Sequence, residues 1–303
     1  MCCYIKKIAI IGAAGKMGVW FTQYFIKQNH EVFLFDINSK NLKLKYSKLI
    51  NSHNDKNNHI NYISDLSCLK DVELIFVSTP ISDTSNIINN LVKYSTSDCV
   101  ILEIISLKES IFPTLKSLSI KNSCIPISIH PLFGPGTTVY ENRKIVLVPI
   151  KDDETEKMYI RKLFPEFQII CVNYSEHDKA MAIILSLTHY INTVFSHFIS
   201  KRDINLLNKL SSPTFALQLI NAESLFNEAD DLISSIQLEN LHSSDIVEEF
   251  IADSHTIGDL IKNRDKINME KTLKKIQKRL IQNRKDSFLK SHNLKTQLFE
   301  NIE

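Results

Sequence analysis

The chain has 303 residues, a formal net charge of +2 and an apolar fraction of 44%. That length holds one large or two ordinary domains, and the near-balanced charge gives no general reason to invoke nucleic acid or a membrane surface. No uninterrupted apolar run reaches membrane-span length and the N-terminus lacks a signal-peptide pattern. The six cysteines (Cys2, Cys3, Cys68, Cys99, Cys124, Cys171) show neither C-x-x-C nor metal-ligand spacing, so a cytoplasmic protein without a metal site is expected.

Ile5 to Ile11 reads as a strand and runs into G-A-A-G-K-M-G, Gly12 to Gly18. Met17, Trp20, Phe21, Tyr24 and Phe25 then recur at helical spacing, Asn29 can end that helix, and Glu31 to Phe35 is a second strand finishing at Asp36. Strand, glycine turn, helix, strand and acid is the context that dinucleotide binding requires. Gly12 permits a tight turn, Gly15 a close approach to a pyrophosphate, and Gly18 close helix–strand packing. Gly12, Ala13, Ala14, Gly15, Lys16, Met17 and Gly18 are therefore expected to hold the cofactor, against the plainer reading of a tight turn. The spacing is G-x-x-G-x-x-G, a less specific variant of the usual fingerprint. Asp36 can accept from a ribose hydroxyl and would repel a 2′-phosphate, which favours NAD over NADP; nearby Lys40 softens that preference.

Asn51 to His59 reads as a polar surface loop without metal spacing. Val72 to Ser78 is the next strand and runs into Thr79-Pro80, which join the expected cofactor contacts at its carboxyl end. A helix spans Thr84 to Tyr94, and Val100 to Ile105 is a strand ending in Ser106-Leu107-Lys108. Ser106 either caps the following helix or belongs to a site on this rim. Cys124 to Ile129 is an apolar strand followed by His130 and by Pro131, Gly134, Pro135 and Gly136, which force a sharp turn. An imidazole at the carboxyl end of a sheet strand has the placement of a general base, although a plain loop histidine fits the same pattern. Ile145 to Pro149, a helix from Thr155 to Phe164, and Phe167 to Val172 complete the expected doubly wound parallel sheet, a Rossmann-type α/β domain over residues 1–173.

Residues 174–303 read as helices only. Glu176 to Ser200 is apolar around most of its circumference and is expected to be buried. Its polar stripe of Ser186, His189, Thr193 and Ser196 faces either a polar cavity or solvent. His177-Asp178 reads as a helix cap and a local pair. Pro213, Asp230-Asp231 and His242 punctuate further helices, and a basic helix from Asn268 to about Leu289 presents a solvated face.

Taken together, these stretches resemble the prephenate dehydrogenases, and the short archaeal-type form more than the longer bacterial enzymes. The resemblance rests on G-A-A-G-K-M-G, on L-E-I-I-S-L-K from Leu102 and on S-I-H-P-L-F-G-P-G from Ser128. It extends through H-D-K-A-M-A-I-I-L-S-L-T-H ending at His189. It implies an NAD-dependent oxidoreductase of tyrosine biosynthesis with a helical domain for dimerisation and substrate binding. In that case His130 accepts the C4 hydroxyl proton of prephenate while C4 gives up a hydride. Carbon dioxide leaves, and 4-hydroxyphenylpyruvate results. Ser106 then matches a serine hydrogen-bonded near the histidine and nicotinamide, and His189 a histidine facing the substrate, which favours the cavity for the polar stripe. Arogenate is the alternative substrate, and a non-catalytic NAD-responsive protein the alternative role. One departure is plain: members of the family use an arginine of the helical domain for a substrate carboxylate, and none lies between Arg202 and Arg264. Lys209, Arg202 or a partner subunit is left to replace it.

Overall fold

The structure is a computed structural model and describes residues 6–52, 60–138 and 143–280, with 290, 291, 293 and 294. Cys2, Cys3, Ile5, most of the Asn51–His59 loop and the end of the basic helix lie outside them. Chain contacts divide it into two compact units, 1–181 and 182–303.

The first unit is an eight-stranded sheet: β1 Lys7–Ile11, β2 Glu31–Phe35, β3 Ile60–Tyr62, β4 Leu74–Val77, β5 Val100–Glu103, β6 Ile125–Pro131, β7 Lys144–Val148 and β8 Gln168–Cys171. Their order is β3-β2-β1-β4-β5-β6-β7-β8. Helices α1 Lys16–Lys27, α2 Ser39–Ser52, α3 Ile81–Leu91, α4 Phe112–Ile120 and α5 Asp153–Leu163 connect the strands. The chain leaves β1 in one direction, through β2 and β3, and returns to β4 on its other side. The crevice at the carboxyl ends of β1 and β4 is therefore the topological switch point, where open α/β sheets bind ligands.

One expectation is corrected. β6 and β7 pair antiparallel, with His130 opposite Val146, so the sheet is mostly rather than wholly parallel. Strands buried on both faces are apolar throughout and carry no mark of direction. The Gly134-Pro135-Gly136 turn begins the return without the helical crossover that a parallel neighbour needs. Asn29, which ends α1, has a φ of 61°, a left-handed conformation that asparagine tolerates better than most residues. Helix α2 and strand β3 were not anticipated, because α2 is largely polar and β3 has three residues.

An aromatic cluster joins α1 to the loop after β6. Trp20 lies 4.9 Å from Phe133, which stacks at 5.3 Å on Phe167, and Trp20 Nε1 donates to the Thr137 carbonyl at 2.7 Å. The glycine turn and the segment following His130 thus share one packed anchor.

The second unit holds a helical run and five further helices among the described residues. The run begins as α6, Tyr174–Met181, in the first unit, passes through a π-helical stretch, Ala182–Leu187, and continues as α7, Thr188–Ile199. Then come α8 Ile204–Lys209, α9 Pro213–Leu225, α10 Asp230–Leu238, α11 Ser243–Lys262 and α12 Lys266–Leu280. Two expectations about the run change. By length and composition, Tyr174–Ile199 is apolar enough to cross a membrane, with a mean hydropathy of 1.3 over its best window. Its polar residues are dispersed, so the average passes although no unbroken apolar stretch does. Nor is it buried in the single chain: Ile183, Ile184, Val194 and Phe198 are exposed, while Ser186 is buried and His189, Thr193 and Ser196 are half-buried. The polar stripe faces inward and the apolar face outward, the reverse of a solvated helix.

Gly12 has a φ of +81°, and a Cβ on it would lie 2.2 Å from the Ser78 carbonyl oxygen. Left-handed backbone alone costs a non-glycine residue about 1–2 kcal/mol. Gly12→Ala should lose more than that, because main chain cannot yield as a flexible side chain would. A shift of the urea unfolding midpoint to lower concentration checks this.

Candidate active site

At the switch point the turn after β1 is built from main chain. Gly12 and Ala13 donate to the Phe35 carbonyl at 3.0 and 3.1 Å, and Gly15 donates to the Gly12 carbonyl at 3.0 Å. A Cβ on Gly18 would stand 2.3 Å from the Gly12 oxygen, which accounts for the third glycine. Helix α1 starts behind Gly15 with no side-chain cap, so its N-terminal dipole faces the crevice, as an anionic pyrophosphate requires. Lys16 and Met17 open that helix. Asp36 accepts from Ala14 N at 2.9 Å and from Asn38 N at 2.8 Å, so the acid also fastens the turn it was expected to serve. Lys45 Nζ lies 2.5 Å from the Ala14 carbonyl and Tyr46 Oη 3.0 Å from that of Ala13. Thr79 and Pro80 lie beyond β4; the Thr79 hydroxyl is 2.8 Å from that of Thr84, and Pro80 precedes α3. The glycine turn, Asp36, Thr79 and Pro80 thus occur on one rim, and the residues present fit a dinucleotide.

His130 is the last residue but one of strand β6, on the same rim, and is 5% exposed; Pro131, expected in the turn, still pairs with Ile145 inside the strand. Its Nδ1 lies 2.9 Å from His177 Nε2, and His177 Nδ1 lies 2.6 Å from Asp178 Oδ1. Burial above all, with the disfavouring of a second positive charge beside His177 and the Lys108 ammonium, holds the His130 imidazole well below its ordinary ionisation range. It is therefore neutral near pH 7 and able to accept a proton.

The reading of His177-Asp178 as a helix cap is corrected: the Asn173 side chain accepts from Glu176 N at 2.9 Å and does the capping. Asp178 reaches across the fold instead, accepting from Lys108 N through both oxygens at 2.9 Å and from Glu109 N at 2.8 Å. Beneath His130 lies a buried ion pair. Lys108 Nζ is 2.8 Å from Glu103 Oε1 and donates to the Ile129 carbonyl at 2.7 Å. Glu103 also accepts from Ser128 Oγ and, at 2.8 Å, from Ile105 N. Burial pulls the Lys108 ammonium below its ordinary value, and the carboxylates of Glu103 and Asp178 oppose that.

Ser106 is half-buried just past β5, the neighbour of His130's strand, and no hydrogen bond joins Ser106 to His130 among the described residues. It does not cap α4, whose N-terminal boundary is Ile111. Sequence reasoning missed Glu103, Lys108, Ser128, His177 and Asp178 as a set. A carboxylate inside V-I-L-E-I-I, with a lysine five residues on, was the available signal.

His189 belongs to the second unit. It lines a pocket of about 600 Å³ with Asn192, Gln218, Asn221, Ser224 and Glu228. Its Nδ1 and the Thr193 hydroxyl are buried without a hydrogen-bond partner, which suits a polar ligand group. Burial lowers the His189 ionisation, against the Glu228 charge.

The family description "Prephenate dehydrogenase, nucleotide-binding domain" matches residues 26–168, and "Prephenate dehydrogenase, dimerization domain" matches residues 173–290. The chain belongs to the prephenate dehydrogenase family. It is 24% identical over 280 residues to the "Probable arogenate/prephenate dehydrogenase" of Methanocaldococcus jannaschii, covering 89% of this chain and 60% of that protein. It is 24% identical over 247 residues to the T-protein of Haemophilus influenzae, covering 80% and 59%. The chain thus spans less than two thirds of the length of either curated relative. Among solved structures it is similar to prephenate dehydrogenase from A. aeolicus in complex with hydroxyphenyl propionate and NAD+. There the TM-score is 0.69 at 16% identity, over 93% of this chain and 99% of that one. Synechocystis arogenate dehydrogenase gives 0.64 at 18% identity, over 89% and 96%. At such identities the likeness speaks for the shared fold.

The Glu103–Lys108 pair carries the stability prediction of this site. Removing one member of a buried pair typically costs about 3–5 kcal/mol, because the other charge is left uncompensated. Lys108→Met should lower the denaturation midpoint accordingly, and adding Glu103→Gln should restore part of the loss.

Proposed function

We propose that the chain is an NAD-dependent prephenate dehydrogenase. The observation that carries this reading is the buried His130, neutral and held through Nδ1, on the rim that also presents the glycine turn. Family membership supports the substrate class. Bound NAD supplies the hydride acceptor. The main chain of Gly12 to Gly18 and the N-terminus of α1 would hold its pyrophosphate, and Asp36 would hold the adenosine ribose and disfavour a 2′-phosphate. His130 takes the proton from the C4 hydroxyl of prephenate, so the C–O bond becomes a carbonyl as the hydride leaves C4. Loss of the C1 carboxylate as carbon dioxide moves its electron pair through the ring onto the C4 oxygen, which takes a proton back from His130, and 4-hydroxyphenylpyruvate results. Ser106 is assigned to orient the hydroxyl and the nicotinamide, and His189 to contact substrate rather than remove a proton. The free thiols Cys68, Cys99, Cys124 and Cys171 suit a reducing cytoplasm.

A second substrate, arogenate, is favoured by one observation. Among the described residues lining the His189 pocket there is a carboxylate, Glu228, and neither lysine nor arginine. An amine would meet better complementarity there than a keto group. The proposed homodimer draws support from the dimerisation-domain match and from the exposed face of Ile183, Ile184, Val194 and Phe198. A second copy that covers this face removes apolar surface from water, and a membrane is not required.

Purified protein should form NADH with prephenate or arogenate, with NADP the poorer acceptor. His130→Asn should keep NAD binding and lose about 10²–10⁴-fold in kcat. For the native protein kcat/KM should rise with pH through one ionisation below the ordinary imidazole range of about 6.5 and stay level above it, because the neutral ring is the active form. Near-native kcat in His130→Asn would remove the assignment of the base.

Assembly has its own check. Light scattering at micromolar concentration should return twice the 34.8 kDa chain mass. Val194→Asp with Phe198→Asp should shift the protein toward monomer, and a monomer mass for the native protein would refute the dimer.

A further inference from the structure

We infer that His177 and Asp178 are positioning residues that hold His130 in the tautomer with its hydrogen on Nδ1, leaving Nε2 to take the substrate proton. The inference rests on the reading of His130 as the base and goes beyond it, to the residues that decide which ring nitrogen is basic.

The argument runs from the carboxylate outward. Asp178 accepts main-chain N–H groups from Lys108 and Glu109, which can only donate. An ionised carboxylate suits those donors, and it can only accept from His177 Nδ1, 2.6 Å away. His177 therefore carries its hydrogen on Nδ1, and in the neutral ring its Nε2 is an acceptor. His130 Nδ1, 2.9 Å from that Nε2, must then be the donor. In a neutral imidazole one nitrogen donates and the other accepts, so the lone pair of His130 falls on Nε2. The reverse arrangement would put hydrogen on His130 Nε2 and leave it unable to accept a proton.

The same line gives the proton a place to go. As the hydroxyl O–H bond breaks, a new N–H bond forms at His130 Nε2, and the ring becomes an imidazolium. Its Nδ1 hydrogen can pass to His177 Nε2, leaving His130 neutral and His177 charged beside Asp178. One proton enters the chain, one moves along it, and no electron changes hands; when the ring becomes aromatic the same two transfers run in reverse and return a proton to the C4 oxygen. The charged groups that bear on His130 favour this transfer. Lys108, from the loop after β5 and paired with Glu103, disfavours positive charge on His130, while the Asp178 carboxylate on α6 lies 2.6 Å from His177 Nδ1.

The test uses the full chain labelled with ¹⁵N-histidine. Imidazole nitrogen shifts and couplings report the tautomer of each ring, and His130→Asn and His177→Asn assign the two signals. Native protein near pH 7 should show a hydrogen on Nδ1 of His130 and a bare Nε2. Asp178→Asn can donate to His177 Nδ1 and so reverse the chain. It should move the His130 hydrogen to Nε2 and lower kcat about 10²–10⁴-fold, as the same exchange does in serine-protease triads, with the Kd for NAD unchanged. If Asp178→Asn fails to fold, His177→Gln serves instead. It leaves the Asp178 contacts to the β5 loop in place, and an amide at that position can donate or accept. Mixed His130 tautomers, with a fall in kcat but not in NAD affinity, are then expected. A native His130 with Nδ1 bare would overturn the inference, as would either variant with unaltered tautomer and kcat. A native tautomer as inferred, together with full turnover in His130→Asn, would instead sink the assignment of the base and leave the tautomer inference standing.

Discussion

The ammonium and the main-chain N–H of Lys108 hold the site together from opposite sides. The side chain points into the sheet, where Glu103 of β5 and the Ile129 carbonyl of β6 receive it. The backbone of the same residue receives the Asp178 carboxylate from α6. Without the first contact Glu103 would keep the Ser128 hydroxyl and the Ile105 N–H but lose its counter-charge, a costly state in a low-dielectric interior. Without the second, Asp178 would keep only the Glu109 N–H among the main-chain donors that fix its orientation toward His177. Two strands and one helix are thereby locked beside His130, near the end of its strand. A hydrophobic contact could have filled the space, but it would not have specified direction, and hydrogen bonds to charged groups do.

The glycine turn solves a different problem with the same economy. β1 and β4 are neighbours, and the turn leaving β1 presses against Ser78 so closely that a side chain at Gly12 is excluded. That closeness leaves the N-terminal end of α1 at the crevice, where a phosphate can approach the backbone. Asp36 then acts twice. Its bonds to Ala14 and Asn38 shape the turn, and a carboxylate with accepting capacity left over is what a ribose diol requires.

How much of this could be read from the sequence differs from one part of the chain to another, for physical reasons. The β1–turn–α1–β2–Asp36 unit was legible because each part has a local signature: glycine where φ is positive or space is lacking, and helical spacing over Trp20 to Phe25. His130 was legible because Gly134, Pro135 and Gly136 turn the chain shortly after it, although Pro131 itself stays in the strand. The direction of β7 was not, since a strand buried on both faces looks the same read either way. The Asp178–His177–His130 line was missed because its members come from segments forty-seven residues apart, and two polar residues near a helix start have a ready local explanation. Only tertiary packing could choose between that explanation and a contact with the β5 loop. Ser106 was named from its strand end and His189 from a polar helix stripe, the family resemblance supplied the roles proposed for them, and the geometry of each had to come from the fold.

The helical run from Tyr174 to Ile199 shows why burial cannot be inferred from composition alone. Its average hydropathy satisfies a membrane, a protein core and a subunit interface equally well. What separates these is the angular distribution of the polar residues. In a lipid-facing helix Ser186, His189, Thr193 and Ser196 would still turn inward, but the remaining face would need to be clear of polar groups over the full width of the bilayer. Here His197 and Ser200 lie exposed at the end of the run, with Lys201 and Arg202 directly beyond. The π-helical stretch lies midway, and such stretches recur where a helix must re-aim its side chains. It separates the His177–Asp178 end of the run, committed to the sheet, from the His189 end, committed to the helical unit.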